Sequence, residues 1–174
     1  SICGKFDEKE LRKLIEEYFG GWSKDDIYKP TYEDIILKND SKYCEKQIEQ
    51  VHINLGLNGL PYANDKSYSL VLLNNIFGGG ASSILFQKVR EELGLCYTIY
   101  SYMQPYLGVG TMNIYTGLSN KYCDKAISVI NEQLQKFARE GISNELLEIN
   151  KEKIKANYIL GLESTSSRMF ANAK

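Results

Sequence analysis

The sequence predicts an α+β domain in which helices pack on one face of an antiparallel sheet. Three observations carry this prediction. One segment alternates apolar and polar residues with period two, two later β-rich runs are joined by a short turn, and apolar residues recur at helical spacing around them. The chain has 174 residues, of which 43% are hydrophobic and 25% are charged. This composition is typical of globular chains and excludes the disordered, collagen-like and disulfide-scaffold classes.

The first predicted helix covers residues 8–19, after a short segment that is typical of the end of a strand. Asp7 and Glu10 form a capping-box pattern, and apolar residues then recur at helical spacing until a Gly-Gly pair ends the run. The polar stretch that follows has little periodicity, which predicts a linker over residues 23–46.

The next strand is predicted from Val51 to Leu57, where every second residue is apolar. A helix capped by Asp65 should follow and should end at the glycine run of residues 78–80. A second short helix is predicted to begin near Ser82 or Ser83, so the glycines are interpreted as a joint between two helices.

A hairpin and two long helices complete the predicted order of elements. Residues 96–103 and 109–116 are the two β-rich runs of the hairpin. The first helix after it should end at Gly141, and the second should start near Ser143 and continue toward Arg168.

The charge pattern excludes two classes of partner. The 21 Lys and Arg residues are spread along the chain and balanced by 22 Asp and Glu residues, so neither nucleic acid nor an anionic membrane is an expected partner.

The apolar stretches are far shorter than the ~20 residues of a membrane-spanning helix, and no signal-peptide layout is present. Four scattered cysteines without a C-x-x-C pair indicate reduced, structural thiols, and we expect a cytoplasmic location.

Most candidate chemical groups have a simpler structural interpretation. The glycines at 78–80 lack the Gly-Lys-Ser/Thr of a phosphate loop, so a flexible joint, or a hinge beside a substrate, is favoured. His52 is the single histidine of the chain and has no neighbouring acid at ligand spacing, which favours a surface histidine over a zinc site or a catalytic triad. The acidic pairs at 25–26 and 91–92 are interpreted as solvated charge.

One long segment, residues 77–101, carries a family resemblance. It contains a glycine loop, then Leu-Phe-x-x-Val-Arg-Glu-x-x-Gly-Leu-x-Tyr, then the start of the strand pair. In this order it resembles the zinc peptidase family of pitrilysin, insulysin and the mitochondrial processing peptidase, and specifically the second, non-zinc half. Residues 161–169, 47–56 and 4–7 resemble further blocks of the same family. The resemblance therefore covers nearly the whole chain.

The resemblance implies a clamshell-like enzyme. One half of such an enzyme carries an inverted H-x-x-E-H zinc motif whose Glu is the general base, and the other half closes over the peptide. It assigns residues 1–22 to the last strand and helix of the catalytic half, 23–46 to the linker and 47–174 to the second half, truncated at its C-terminus. This chain has no H-x-x-E-H, so the zinc is expected in the full-length parent and no metal ligand is assigned to any residue here.

The family places an arginine and a tyrosine seven positions apart in this segment, and Arg90 and Tyr97 match. A guanidinium and a phenol can donate hydrogen bonds to a peptide carbonyl and to the oxyanion that forms on it. The glycine loop is the candidate substrate loop, with residues Gly78, Gly79, Gly80, Ser82 and Ser83. Ile84 departs from the family, because relatives often have arginine there, and a contact at that position is therefore not carried over.

The leading hypothesis is a segment of a zinc-dependent endopeptidase that cleaves peptides or unfolded proteins. The segment would supply substrate-binding and oxyanion-stabilising groups and would be inactive alone. Its expected partners are a peptide substrate and the zinc-carrying half of the same chain, and a homodimer stays open. The alternative is a non-catalytic substrate-binding or scaffold subunit of the same family.

Overall fold

A computed structural model describes residues 1–22, 35, 37–62 and 64–173. Its α-helices are α1 (Glu8–Phe19), α2 (Ser67–Gly78), α3 (Cys123–Glu140), α4 (Asn144–Gly161) and α5 (Thr165–Asn172). A π-helix covers Phe86–Glu92 and a 3₁₀ helix covers Asn120–Tyr122. The strands are β1 (Val51–Asn58), β2 (Thr98–Pro105) and β3 (Gly110–Leu118). The predicted α+β class is confirmed.

The three strands form an antiparallel sheet in the order β1-β3-β2, so the last strand in sequence lies in the middle. Strands β2 and β3 form the predicted hairpin, and Pro105 pairs with Gly110 at its closed end. The Tyr106 N–H donates to the Val109 carbonyl at 2.7 Å, which makes the turn shorter than the sequence predicted. Strand β2 therefore extends two residues beyond its predicted end, and it also begins two residues later than predicted.

One face of the sheet carries the hydrophobic core. Ile114 at the centre of β3 is fully buried, and Ile99 and Met112 lie on the same face. Helix α2 contributes Phe77, whose ring centroid lies 5.4 Å from that of Phe137 in α3. Helices α2 and α3 therefore pack on one face, whereas His52 and Tyr100 on the opposite face are exposed.

The cap predicted for α1 agrees with the structure, whereas the cap predicted for α2 does not. The Asp7 carboxylate accepts a hydrogen bond from the Glu10 N–H at 2.9 Å, as the capping pattern predicts. Asp65 does not cap α2. Lys66 is the cap residue, and its N–H donates to the side chain of Asn64 at 2.9 Å.

The predicted single helix from Ser143 toward Arg168 is wrong, because the chain forms two helices there. Helix α4 ends at Gly161, and the Ser164 side chain accepts from the Ser167 N–H at the start of α5. The apolar pattern stops at Leu162, and residues 163–168 are all polar. Ser164 in this segment caps the new helix, so the backbone ladder of α4 does not continue through it.

The chain divides into two compact units. One consists of Ser1–Thr31 with Lys153–Lys174, and in it the Ser1 hydroxyl donates to the Met169 carbonyl at 2.8 Å. The other, Tyr32–Glu152, contains the sheet, α2, the π-helix and α3. The assignment of residues 1–22, 23–46 and 47–174 to family domains stays a prediction, and most of residues 23–36 lie outside the described residues.

Candidate functional site

Arg90 is held by the π-helix, one residue after the fully buried Val89. Gly94 ends this helical segment: it has φ +59°, a conformation that favours glycine, and its N–H donates to the Arg90 carbonyl at 3.1 Å. The Arg90 side chain is 40% exposed. The backbone of Arg90 is therefore fixed while its guanidinium reaches the surface.

Tyr97 lies immediately before β2, where its N–H donates to the Gly117 carbonyl of β3 at 3.0 Å. Its side chain is 73% exposed. The guanidinium carbon of Arg90 lies 5.9 Å from the centroid of the Tyr97 ring and 4.6 Å from that of Phe86. The structure thus brings the two predicted residues together.

The surroundings of Arg90 leave its charge available to a ligand. Cation–π contacts with the two rings orient the planar guanidinium without using its N–H donors. The ion pair from Arg90 Nε to Glu91 is long, at 3.8 Å, and both side chains are substantially exposed. Exposed pairs of this kind are weak. An incoming carbonyl or oxyanion could therefore accept hydrogen bonds from Arg90 with little competition.

Cys96 lies between the two candidate residues in sequence and is buried. Burial raises the pKa of its thiol, and this effect outweighs a hydrogen bond with Thr116 and the nearby Arg90 charge, which both lower the pKa. The thiol is therefore protonated at neutral pH and is not a nucleophile there.

The predicted substrate loop contains buried and accessible residues. Gly78 is buried against β2, and Ser83, 2% exposed, uses its hydroxyl to accept from the Phe86 N–H at 3.4 Å. Gly79 is exposed and Gly80 is half-buried. Any contact with a substrate would therefore come from the accessible part of the loop, which also includes Ser82, and the substrate role of the loop stays a prediction.

Ile84 and His52 lie in different parts of the fold. Ile84 is partly buried and packs against the core, which gives its apolar character a structural reason. His52 lies on the open face of the sheet, where Nδ1 is 2.7 Å from the hydroxyl of Tyr115. Sequence reasoning treated His52 as a lone surface residue and missed the aromatic neighbours that strand pairing gives it.

The described residues do not fit a zinc site. Among them no group of three or more His, Cys, Asp and Glu side chains comes close enough together to hold a metal ion. No helix in the described part of the chain is long and apolar enough to cross a bilayer.

Comparison with known proteins gives one family. The profile described as "Peptidase M16 inactive domain" matches residues 1–154. A Bacillus subtilis protein named "Uncharacterized zinc protease YmxG" is 35% identical over 178 residues, which is 100% of this chain and 42% of that protein. An "Uncharacterized zinc protease" of Rickettsia bellii is 30% identical over 95% of this chain and 40% of its own length. The chain thus spans about two fifths of these relatives.

Solved structures share the fold. A protease from Helicobacter pylori matches with a TM-score of 0.77 at 18% identity, over 96% of this chain and 42% of that chain. A conserved protein from Enterococcus faecalis matches with a TM-score of 0.68 at 24% identity, over 97% and 40%. A peptidase M16 inactive domain from Pseudomonas fluorescens matches with a TM-score of 0.59 at 22% identity, over 62% and 26%.

Proposed function

Because this chain belongs to the peptidase M16 family, as its inactive domain, we propose that it is the substrate-binding half of a zinc-dependent endopeptidase. The relatives that match it carry the name zinc protease. In this proposal the zinc is held by another part of the parent protein, and this chain binds the peptide and stabilises the charge that develops on its carbonyl.

The observation that carries the proposal is the pairing of Arg90 with Tyr97. The guanidinium carbon lies 5.9 Å from the centroid of an exposed phenol ring, with the backbone of each residue anchored by a hydrogen bond. A cation and a phenol that face solvent side by side can both donate to one oxygen. Donors held in place before the reaction stabilise the oxyanion more than the ground-state carbonyl, which is how they lower the barrier.

The surface of α1 supports the proposed pairing with a zinc-carrying half. No residue of this helix is buried, although Leu14, Ile15, Tyr18 and Phe19 form an apolar stripe along it. An apolar stripe at helical spacing is stabilised when another element covers it.

The proposed compartment is the cytoplasm, because the scattered cysteines Cys3, Cys44, Cys96 and Cys123 are free thiols.

The test is steady-state kinetics of the longer parent protein with a quenched-fluorescence peptide. Arg90→Ala and Tyr97→Phe should each lower kcat/KM by roughly ten-fold to a thousand-fold, the range for losing one oxyanion donor. Arg90→Lys should restore little activity, since a lysine lacks the planar fork of donors.

Arg139→Ala and Tyr68→Phe are the matched controls, because both side chains are at least 75% exposed on helices of the same unit. They should leave kcat/KM unchanged. Equal kinetics for the Arg90 and control variants would contradict the proposed roles. A parent that binds peptides without cleaving them would instead support the alternative of a non-catalytic subunit.

A further inference from the structure

The sheet face turned away from the helices carries an aromatic cluster, which we call the tyrosine face. The Tyr100 ring centroid lies 5.1 Å from that of Tyr115 and 5.8 Å from that of Tyr102. The rings of His52 and Tyr115 stack at 5.9 Å with an angle of 23° between their planes. Aromatic rings gathered on an open sheet face are large, rigid contact surfaces with few torsions to order on binding.

Hydrogen bonds help to orient two of these rings, Tyr115 and Tyr102. The Tyr115 hydroxyl is 2.7 Å from His52 Nδ1, and the amide of Asn54 donates to the Tyr102 hydroxyl at 3.4 Å. Rings that are already held in place lose little further freedom when a ligand binds, which favours binding over mere exposure.

Polar side-chain atoms gather around Gly117 on the same face. A Cβ atom built on Gly117 would lie 3.3 Å from Gln50 Oε1, 3.6 Å from His52 Nδ1 and 3.7 Å from the Tyr115 hydroxyl. Three polar atoms of the tyrosine face and its edge therefore lie close together around this buried glycine. Such groups can bond the N–H and C=O groups of an extended peptide.

Charge is missing from this face within the three described strands. The residues that share it are His52, Asn54, Gly56, Asn58, Thr98, Tyr100, Tyr102, Gln104, Thr111, Asn113, Tyr115 and Gly117. They include amides, hydroxyls and rings but no Asp, Glu, Lys or Arg. A charged ligand side chain placed here would lose hydration without gaining a partner ion, so the face favours uncharged ligands.

The tyrosine face lies next to the Arg90–Tyr97 site along strand β2. Gly117 accepts the Tyr97 N–H through its carbonyl and lies between His52 and Thr98 in the register of the sheet. Tyr100 and Tyr102 follow Tyr97 by three and five residues, which is about 10 and 17 Å along an extended strand. The backbone of Tyr97 therefore lies directly beside Gly117 of the tyrosine face, and the rings of that face follow within the length of a short peptide segment.

We propose that the tyrosine face binds the substrate polypeptide and selects for aromatic and uncharged residues about three to five positions from the scissile bond. This inference rests on the proposed function and deepens it. It identifies a specificity surface separate from the residues that act on the carbonyl. The occupant is an extended polypeptide, since the face offers both ring surfaces for side chains and polar atoms for a backbone.

The first experiment measures binding without hydrolysis. Two fluorescein-labelled ten-residue peptides, identical except that two phenylalanines in one are aspartates in the other, are titrated with this chain by fluorescence anisotropy. The phenylalanine peptide should bind at least about ten-fold more tightly. Tyr100→Ala and Tyr115→Ala should each weaken its binding by about two-fold to ten-fold, the effect of losing one aromatic pair of about 0.5–1.5 kcal/mol.

Two further variants separate recognition from folding. Tyr68→Ala removes a tyrosine that is 86% exposed on α2 and should change nothing. Asn54→Lys places a cation on the exposed face and should raise affinity for the aspartate peptide while leaving the fold intact. Equal affinity of the two peptides for the wild-type chain, or the same affinities in Tyr100→Ala and Tyr68→Ala, would overturn the inference.

The second experiment profiles cleavage of a mixed peptide library by the longer parent. Tyr100→Ala should flatten the preference three to five positions from the cut, whereas Arg90→Ala should lower all rates together. If Tyr100→Ala kept the same residue preference while Arg90→Ala lowered the cleavage rate of all peptides, the specificity role of the tyrosine face would be refuted. The proposed function would still hold. If the chain bound the phenylalanine peptide selectively but Arg90→Ala did not change the cleavage rate, the proposed function would be refuted. The tyrosine face would still be a peptide-binding surface.

Discussion

Replacing Gly78 with alanine should destabilise the fold, because this residue lies where α2 approaches strand β2. A Cβ atom on Gly78 would lie 2.7 Å from the backbone nitrogen of Ser101 and would also collide with the Ser101 hydroxyl. The backbone atom cannot rotate away as a side chain can. Helix α2 would have to move outward by about 0.7 Å to reach an ordinary contact of 3.4 Å.

The size of the effect follows from two opposing contributions. Alanine is favoured over glycine inside a helix by about 1 kcal/mol, which is an upper limit for Gly78 because it is the last residue of α2. Overpacking a well-packed interface costs about 1–3 kcal/mol, and the upper part of that range applies because the collision is with backbone and the adjacent Phe77 is fully buried. The free energy of unfolding should therefore fall by about 1–2 kcal/mol.

Urea unfolding followed by far-UV circular dichroism measures this change. Gly56→Ala is the control in the same unit, since its Cβ would meet only Asn113 Oδ1 at an ordinary 3.7 Å. Alanine there should leave stability unchanged or raise it by about 0.4–1 kcal/mol through the unfolded state. If Gly78→Ala proved as stable as Gly56→Ala, the close packing of α2 on β2 would be refuted.

Three further predictions concern the core, a helix cap and the buried thiol. Phe77→Ala should lower the free energy of unfolding by about 3–5 kcal/mol in the same urea assay, because a fully buried ring is removed. Asp7→Ala should lower helicity or stability by about 0.5–2 kcal/mol, seen by circular dichroism, because the Glu10 N–H loses its acceptor. Burial raises the pKa of Cys96, so in alkaline solution the folded state keeps a proton that the unfolded chain has lost. Stability should therefore fall as the pH rises through the range in which the unfolded thiol ionises, and Cys96→Ala should flatten that slope. At neutral pH iodoacetamide should modify the exposed Cys44 well before Cys96.

Capping residues, glycines and apolar spacing predicted the helix and the strand whose bounds depend on neighbouring residues in the sequence. Helix α1 has the bounds that the sequence indicated, because Asp7 marks its start and a glycine follows its end. Strand β1 was visible in the alternation from Val51 to Leu57. The family predicted from residues 77–101 is confirmed by the match over residues 1–154.

The errors occurred where two local signals compete. The apolar periodicity from Ser143 toward Arg168 predicts one helix, but the serine run at 164–167 offers a side-chain acceptor to a new helix start. Asp65 and Asn64 both carry a side-chain acceptor just before α2. Asn64 is the one that accepts a hydrogen bond there, from the Lys66 N–H. The six polar residues at 163–168 mark the break, but the helical patterns on both sides of them outweighed this signal.

The two sites differ in what a single sequence can show. The motif identifies Arg90 and Tyr97 but gives no distance, since seven residues span about 10 Å in a helix and about 24 Å in a strand. Gly94, with φ +59°, ends the helical segment between the two residues, and in the folded chain the Arg90 guanidinium carbon lies 5.9 Å from the centroid of the Tyr97 ring. The tyrosine face depends instead on strand order. His52 and Tyr115 become neighbours only because β3 pairs with β1 as well as with β2, across 63 residues of sequence. No local pattern specifies that pairing, so a surface assembled from three strands becomes visible only in the folded chain.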